Sequence, residues 1–225
     1  MPNVMTAPTN FQRRINNYVP AMMYSSDVNF NGNTRVSFGA PAAASATGVL
    51  SAQSIASTGT VDISGVTIAE PYGRVLTIVA SGASTATSSV TGWDYLGQPV
   101  REDFTNNGTT AVVGKKAFKT LDKFLMTGTT GGTTINLGTG TGLGLPYKAL
   151  RCSWEIASGA SAAAGSLTGA VLTDPQTTTT GDPRGTYVTT TSMNGSTIIS
   201  AVFDFVNDVN TSNNGGLHGI RHVAA

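Results

Sequence analysis

The chain is punctuated every few residues by Gly, Asn or Pro, and between these breaks stand short runs rich in β-branched and aromatic residues. From about residue 60 the runs are VDISGVTI, RVLTIVAS, ATSSVTGW, PVREDFT, TAVVG and AFKTLDKFLM, then TINLG, YKALRCSWEIAS, GSLTGAVLT, GTYVTTT and STIISAVFDFV. Such spacing excludes long amphipathic helices and βαβ units, and it predicts an all-β sandwich or jelly-roll-like domain of short antiparallel strands. Thr77-Ile78-Val79 and Ser89-Val90-Thr91 have the alternation of half-buried strands. In the last run Ile199, Ala201, Phe203 and Phe205 share one face, as a strand against a core requires. Residues 117–126 (AFKTLDKFLM) are the one competitor for a helix, and the Asn-Gly turn signal at 106–110 (NNGTT), read as a hairpin connection, favours a strand there.

Residues 1–33 break the pattern. Three prolines, Pro2, Pro8 and Pro20, interrupt the segment, and over its length no helical or alternating period is sustained. Yet it holds Phe11, Arg13, Arg14, Tyr18, Met22, Met23, Tyr24 and Phe30. Two readings stand: a frayed terminus, or an extended arm whose aromatics and methionines anchor on a neighbouring subunit. The division is therefore an arm over 1–33 and a β-rich domain over 34–225. Residues 40–60, rich in Ala, Ser, Thr and Gly, read as a loose connection or a small-residue strand.

Charge narrows the function classes. Asp, Glu, Lys and Arg make up 11% of the chain, against roughly 25% in ordinary soluble domains. Polar but uncharged surface suits faces that are buried in an assembly. The formal net charge is +1 with no basic stripe, which gives no steering toward nucleic acid. No secretory leader is read at the start, and no apolar run is long enough for a membrane helix. The single cysteine, Cys152, rules out an intrachain disulfide and reads as a small buried hydrophobe.

Motifs with chemical meaning fail on context. Gly138-Thr-Gly-Thr-Gly-Leu-Gly144 lacks the following helix that a dinucleotide loop needs, and is expected to be a flexible surface loop. Gly108 to Lys115-Lys116 is one residue too long for a phosphate loop and carries no Ser or Thr after the lysine. His218 and His222 lie four apart, but no third ligand is near, so no metal is expected. Of the carboxylates Glu102, Asp103 and Asp204, the first two are adjacent and point to opposite faces of a strand, so a structural or solvent-facing role is expected rather than an acid/base pair. Asn107-Gly-Thr and Asn194-Gly-Ser read as turns rather than glycosylation acceptors. Neither a catalytic constellation nor a cofactor is expected. Gly181-Asp-Pro-Arg-Gly185 predicts a tight reversal, with Arg184 paired to a carboxylate either within the chain or across an interface.

Two segments carry a resemblance. Residues 90–126 read V-x-G-x-D-x-x-G-x-x-V-x-E and then N-G-T-T-x-V-x-G-x-K-A-F-K-T, and residues 173–205 contain T-G-D-x-R-G-x-Y followed by an N-G-S turn. The pattern resembles structural proteins of tailed-bacteriophage particles, most of all capsid decoration (cement) proteins; residues 1–60 lie outside it. That resemblance implies a β-domain subunit on the capsid exterior, clustered as a homo-oligomer with a trimer favoured, that grips the major capsid protein and stiffens the head against DNA pressure. The alternative is a tail or head-fibre component that binds a receptor or glycan, with the glycine-rich stretch 138–146 at an exposed tip.

Overall fold

Extended pairing accounts for most of what the computed structural model describes, namely residues 33–54, 58–127 and 133–205. In chain order the strands are β1 (Asn33–Gly39), β2 (Ser45–Ser54), β3 (Gly59–Asp62), β4 (Arg74–Ala80), β5 (Thr87–Trp93), β6 (Pro99–Thr105) and β7 (Val112–Phe118). There follow β8 (Thr120–Thr127), β9 (Thr134–Gly144), β10 (Ala149–Ala157), β11 (Ala160–Ala162), β12 (Ser166–Thr168), β13 (Thr186–Val188) and β14 (Ile199–Phe205). All pairings between them are antiparallel, no helix occurs among the described residues, and the architecture is a sandwich-like all-β domain.

Three sheets form. The first has the order β1-β14-β10-β11; the second runs β12-β13-β9-β4-β7, with β2 also on β9; the third is β3-β8-β5-β6. The second sheet is central because it feeds both cores. Leu76 and Ile78 of β4 and Ile135 and Leu137 of β9 meet Val90, Phe104 and Phe124 of the third sheet. Leu143 and Tyr187 meet Val36, Phe38, Ile199, Ala201 and Phe203 of the first. Tyr187 stacks on Phe38 at 5.8 Å between ring centroids and meets Phe203 edge-on at 5.0 Å. Each such side chain stabilises the fold by roughly 1.5–3 kcal/mol of transfer free energy.

Several expectations are corrected. Thr77-Ile78-Val79 belongs to a strand buried on both faces rather than half-buried, because β4 lies between β9 and β7 within a sheet covered on each side. Residues 40–60 carry the small-residue strand β2 and the start of β3. The NNGTT stretch does turn, with the Thr110 N–H donating to the Asn107 carbonyl at 3.0 Å and Gly108 at φ +54°. It joins β6 of the third sheet to β7 of the central one, so it is a crossing between sheets rather than a hairpin. Residues 117–126 are strand, as expected, split between β7 and β8.

The largest correction concerns 138–144. These residues are no surface loop but the second half of β9, the longest strand, paired to β2, β4 and β13. Glycine is needed there because other backbone crosses the strand at contact distance. A Cβ on Gly138 would overlap the Ser45 carbonyl oxygen, and one on Gly144 would overlap that of Tyr72. Between the pairs Arg74↔Leu143 and Leu76↔Thr139 the register slips, which leaves the Gly140 carbonyl out of the ladder. The Arg74 guanidinium fills the gap: Nε donates to Gly140 O at 2.5 Å, and Nη1 donates to Ala42 O and Glu70 Oε1.

Candidate functional site

Two regions hold the chemistry-bearing side chains, and a third holds the exposed apolar ones. The first lies under the irregular segment 169–185, which runs as a strap along the free edges of β6 and β7. The Asp103 N–H donates to Thr178 O at 3.0 Å, and the Asp182 N–H donates to Lys115 O at 3.2 Å. Backbone groups of two edge strands are thus satisfied without a further strand. The strap is held from beneath by charge. Lys116, fully buried, donates through Nζ to Pro175 O at 2.5 Å. The Asp182 carboxylate accepts the N–H of Ala117 at 3.0 Å and of Arg184 at 2.8 Å. Burial pushes its pKa above the usual carboxylate range, opposed chiefly by the neighbouring Arg184 charge.

The predicted reversal at 181–185 is present, with the Gly185 N–H donating to Asp182 O at 3.1 Å and Gly185 at φ +86°. Its arginine turns inward. Arg184 is 2% exposed, pairs with Asp94 at 2.9 Å, and lies over the Tyr95 ring at 4.8 Å from the centroid. Of the two expectations for Arg184, the intramolecular pair is what the fold contains. The interface assignment is corrected, since the guanidinium is out of a partner's reach.

Glu102 and Asp103 take opposite faces of β6, as expected. Asp103 accepts a hydrogen bond from the Ser89 hydroxyl, whereas Glu102 is buried and accepts the N–H of Lys115 at 2.5 Å and of Lys116 at 3.3 Å. Its pKa is pushed up to about 7 because burial outweighs those two N–H donors and the Lys116 charge. Glu102 lines a cleft of 260 Å³ with Phe104, Val112, Val113, Lys115 and Thr179. Both carboxylate oxygens are occupied by backbone, so the acid serves as a brace between β6 and β7.

The second region ties β10 to the chain after β13. Glu155, fully buried, accepts the Tyr187 hydroxyl at 2.8 Å and the N–H of Thr190 and Thr191 at 2.7 and 3.0 Å. The Tyr187 oxygen accepts in turn from the Gly165 N–H at 2.7 Å and from the Cys152 thiol at 3.4 Å. Cys152 is half-buried rather than fully so, and burial pushes its thiol pKa up, away from thiolate reactivity. Asp204 pairs with Arg151 at 2.5 Å on the first sheet, far in sequence from Glu102. Among the described residues, no group of three or more His, Cys, Asp or Glu side chains is placed to hold a metal ion, and no helix is long and apolar enough to cross a membrane.

The third region escaped the sequence reading. On β14 the side chains of Ile199, Ala201 and Phe203 fill a core, so those of Ser200, Val202 and Asp204 lie on the opposite face of the sheet, where their neighbours leave each at most 9% exposed; Ile198 immediately precedes the strand. Register sets Arg35 of β1 and Trp154 of β10 on either side of Val202, with Ile156 beside Ser200. Trp154 is 40% and Ile198 55% exposed, and Leu150, also on β10, is 59% exposed. The signal was present in the spacing of β10, but bulges between Ala149 and Arg151 and between Cys152 and Trp154 scramble its alternation. Phe11, Arg13, Arg14, Tyr18, Met22, Met23, Tyr24, Phe30, His218 and His222 lie outside the described residues.

No protein-family model, curated protein or solved structure matches this chain.

Proposed function

We propose that this chain is a non-enzymatic decoration protein of a tailed-phage capsid, bound as a homo-oligomer, with a trimer favoured, to the outer surface of the major capsid lattice. The observation that carries the reading is the outer face of the first sheet. It presents Trp154 and Ile198 about a nearly buried Val202, with Arg35 and Arg151 beside them, and Asn33 and Phe205, where β1 begins and β14 ends, stand at one end of it. Large apolar side chains ringed by arginine are the usual composition of a protein–protein contact. Low overall charge and the particle-protein resemblance of residues 90–126 and 173–205 support the same reading.

A cement subunit works by burying surface across two or more capsid subunits, so that separating them breaks those contacts. The buried strap, the Arg184–Asp94 pair and the Glu155 network make the domain a stiff element through which such load passes. The test is stoichiometry and truncation on purified particles. Hundreds of copies over the shell are expected, and deletion of residues 1–25 is expected to leave a folded domain with weakened capsid retention. Absence from particles, or a handful of copies at the tail, overturns the proposal. The fibre-tip alternative has lost its motif, since residues 138–144 are strand and largely buried.

A further inference from the structure

A single exposed tryptophan is ordinary, but Trp93 stands in a row of preset polar groups. It is 39% exposed and ends β5. Val90 turns into the core, and a Cβ on Gly92 would meet the Thr120 carbonyl and the Phe118 ring. Ser89, Thr91 and Trp93 therefore lie along the outer face of the third sheet. Register sets Asp103, Arg101 and Pro99 of β6 beside them on one flank. On the other flank Lys123 pairs with Thr91 and Thr120 with Trp93. A slip in that register between Thr91 and Gly92 leaves Asp122 as an extra residue, whose carboxylate turns to Thr91.

The hydroxyls of β5 fix the charged groups in place. Thr91 Oγ1 donates to Asp122 Oδ2 at 3.3 Å, and Ser89 Oγ donates to Asp103 Oδ1. Arg101 reaches back to the same two groups, with Nη2 at 3.4 Å from Ser89 Oγ and Nε at 3.4 Å from Asp103 Oδ1. Asp122 Oδ1, Asp103 Oδ2 and Arg101 Nη1 keep no hydrogen-bond partner among the described residues. The Arg101 side chain is 47% exposed, so the set is open to a ligand.

We propose that this face binds an uncharged hexose glycan, with one sugar ring stacked on Trp93 and its vicinal hydroxyls shared between Arg101 and Asp122. A sugar hydroxyl accepts from a guanidinium while it donates to a carboxylate, and the C–H side of the ring suits the electron-rich face of an indole. β8 and β6 lie roughly 10 Å apart across β5, a span that one ring bridges once the side chains lean over it. Charge selects the class. Arg101 and Lys123 balance Asp103 and Asp122, so the face is neutral. An anionic polysaccharide or a nucleic acid would set its charges against the two carboxylates. The centre of a protein–protein contact is depleted of Asp and Lys, whereas both flank Trp93 here. The inference does not rest on the capsid reading, whose contact lies on the first sheet.

Trp93 and Trp154 are the two tryptophans of the chain, so in full-length Trp154→Phe the indole emission reports on Trp93 alone. The probes are short neutral oligosaccharides of the gluco, manno and galacto series, with polygalacturonate as the charged counterpart. A saturable change of Trp93 emission is expected with at least one neutral series, and it is expected to be insensitive to salt because no net charge is paired. By calorimetry on the otherwise unaltered chain, Trp93→Ala and Asp122→Ala are each expected to weaken that binding about tenfold or more. Arg101→Gln, at an exposed side chain, keeps the result apart from misfolding: the same loss with an unchanged circular-dichroism spectrum is expected. Binding of no neutral series at millimolar sugar overturns the proposal. So does salt-sensitive binding of polygalacturonate alone, or neutral binding that Trp93→Ala leaves unchanged. Shielding of Trp93 from acrylamide by capsids, with no effect of any sugar, also overturns it and gives the face to a protein partner.

Discussion

The guanidinium of Arg184 lies 2.9 Å from the carboxylate of Asp94, and both side chains are at most 2% exposed. The pair links the end of the strap to the turn between β5 and β6, where the same Asp94 accepts the N–H of Leu96 and of Gln98 at 2.8 and 2.9 Å. Removing the cation leaves a buried carboxylate uncompensated. Arg184→Met is expected to destabilise the domain by about 3–5 kcal/mol in urea unfolding. Adding Asp94→Asn, which keeps an oxygen for the turn but removes the charge, is expected to recover a large part of that loss. Equal stability of the single and double variants would show that the charge pair is not what the strap depends on.

Glu102 gives a pH signature. Its folded pKa, pushed up to about 7, lies above the ordinary value of 4.5, so between those values the folded state holds the proton more tightly than the unfolded one. Stability from this group is full below the lower value, falls as pH rises through the window, and levels off above about 7. The upper bound is ~3 kcal/mol, at 1.36 kcal/mol per pKa unit. Glu102→Gln is expected to flatten the profile of unfolding free energy over that window. A wild-type profile rising with pH across it would count against the assignment.

The glycines of β9 separate steric need from flexibility. Gly138→Ala drives a methyl group into the Ser45 carbonyl, and Gly144→Ala drives one into the Tyr72 carbonyl. Backbone cannot move aside as a side-chain tip can, so each is expected to cost at least ~1–3 kcal/mol in thermal or urea unfolding. Gly169→Ala meets nothing within 4 Å at an ordinary φ and serves as the control, with a shift within about 0.5 kcal/mol.

These glycines also mark the limit of what the residue order reveals. Strands with their own β-branched or aromatic run, such as β4, β5, β6 and β14, are legible because local pattern and burial agree. In β9 the reason for glycine lies on β2 and on Tyr72, remote in sequence, so density of glycine reads as a loop. The strap is opaque for a related reason. Its order comes from edge groups of β6 and β7 and from Lys116, not from any period of its own. Arg184 was legible as a carboxylate partner, but only the fold names Asp94. The outer face of the first sheet was hidden by the bulges of β10.

Trp154 and Ile198 give the last prediction, which separates surface from core on the first sheet. Both are substantially exposed, while Phe203 on β14 is fully buried against Phe38 and Tyr187. Phe203→Ala is expected to cost ~3–5 kcal/mol and to abolish assembly by unfolding the domain. Trp154→Ser with Ile198→Ser removes apolar area that is 40% and 55% exposed, with Trp154 paired beside Val202, so the cost to folding is expected to be about 1 kcal/mol or less. If the outer face is the seat of capsid contact, this double variant folds, elutes as a smaller oligomer or free subunit, and is depleted from particles in a pull-down with capsids. A variant that is fully retained moves the contact to another surface, and the stiff domain would then have to be held through its chain ends alone.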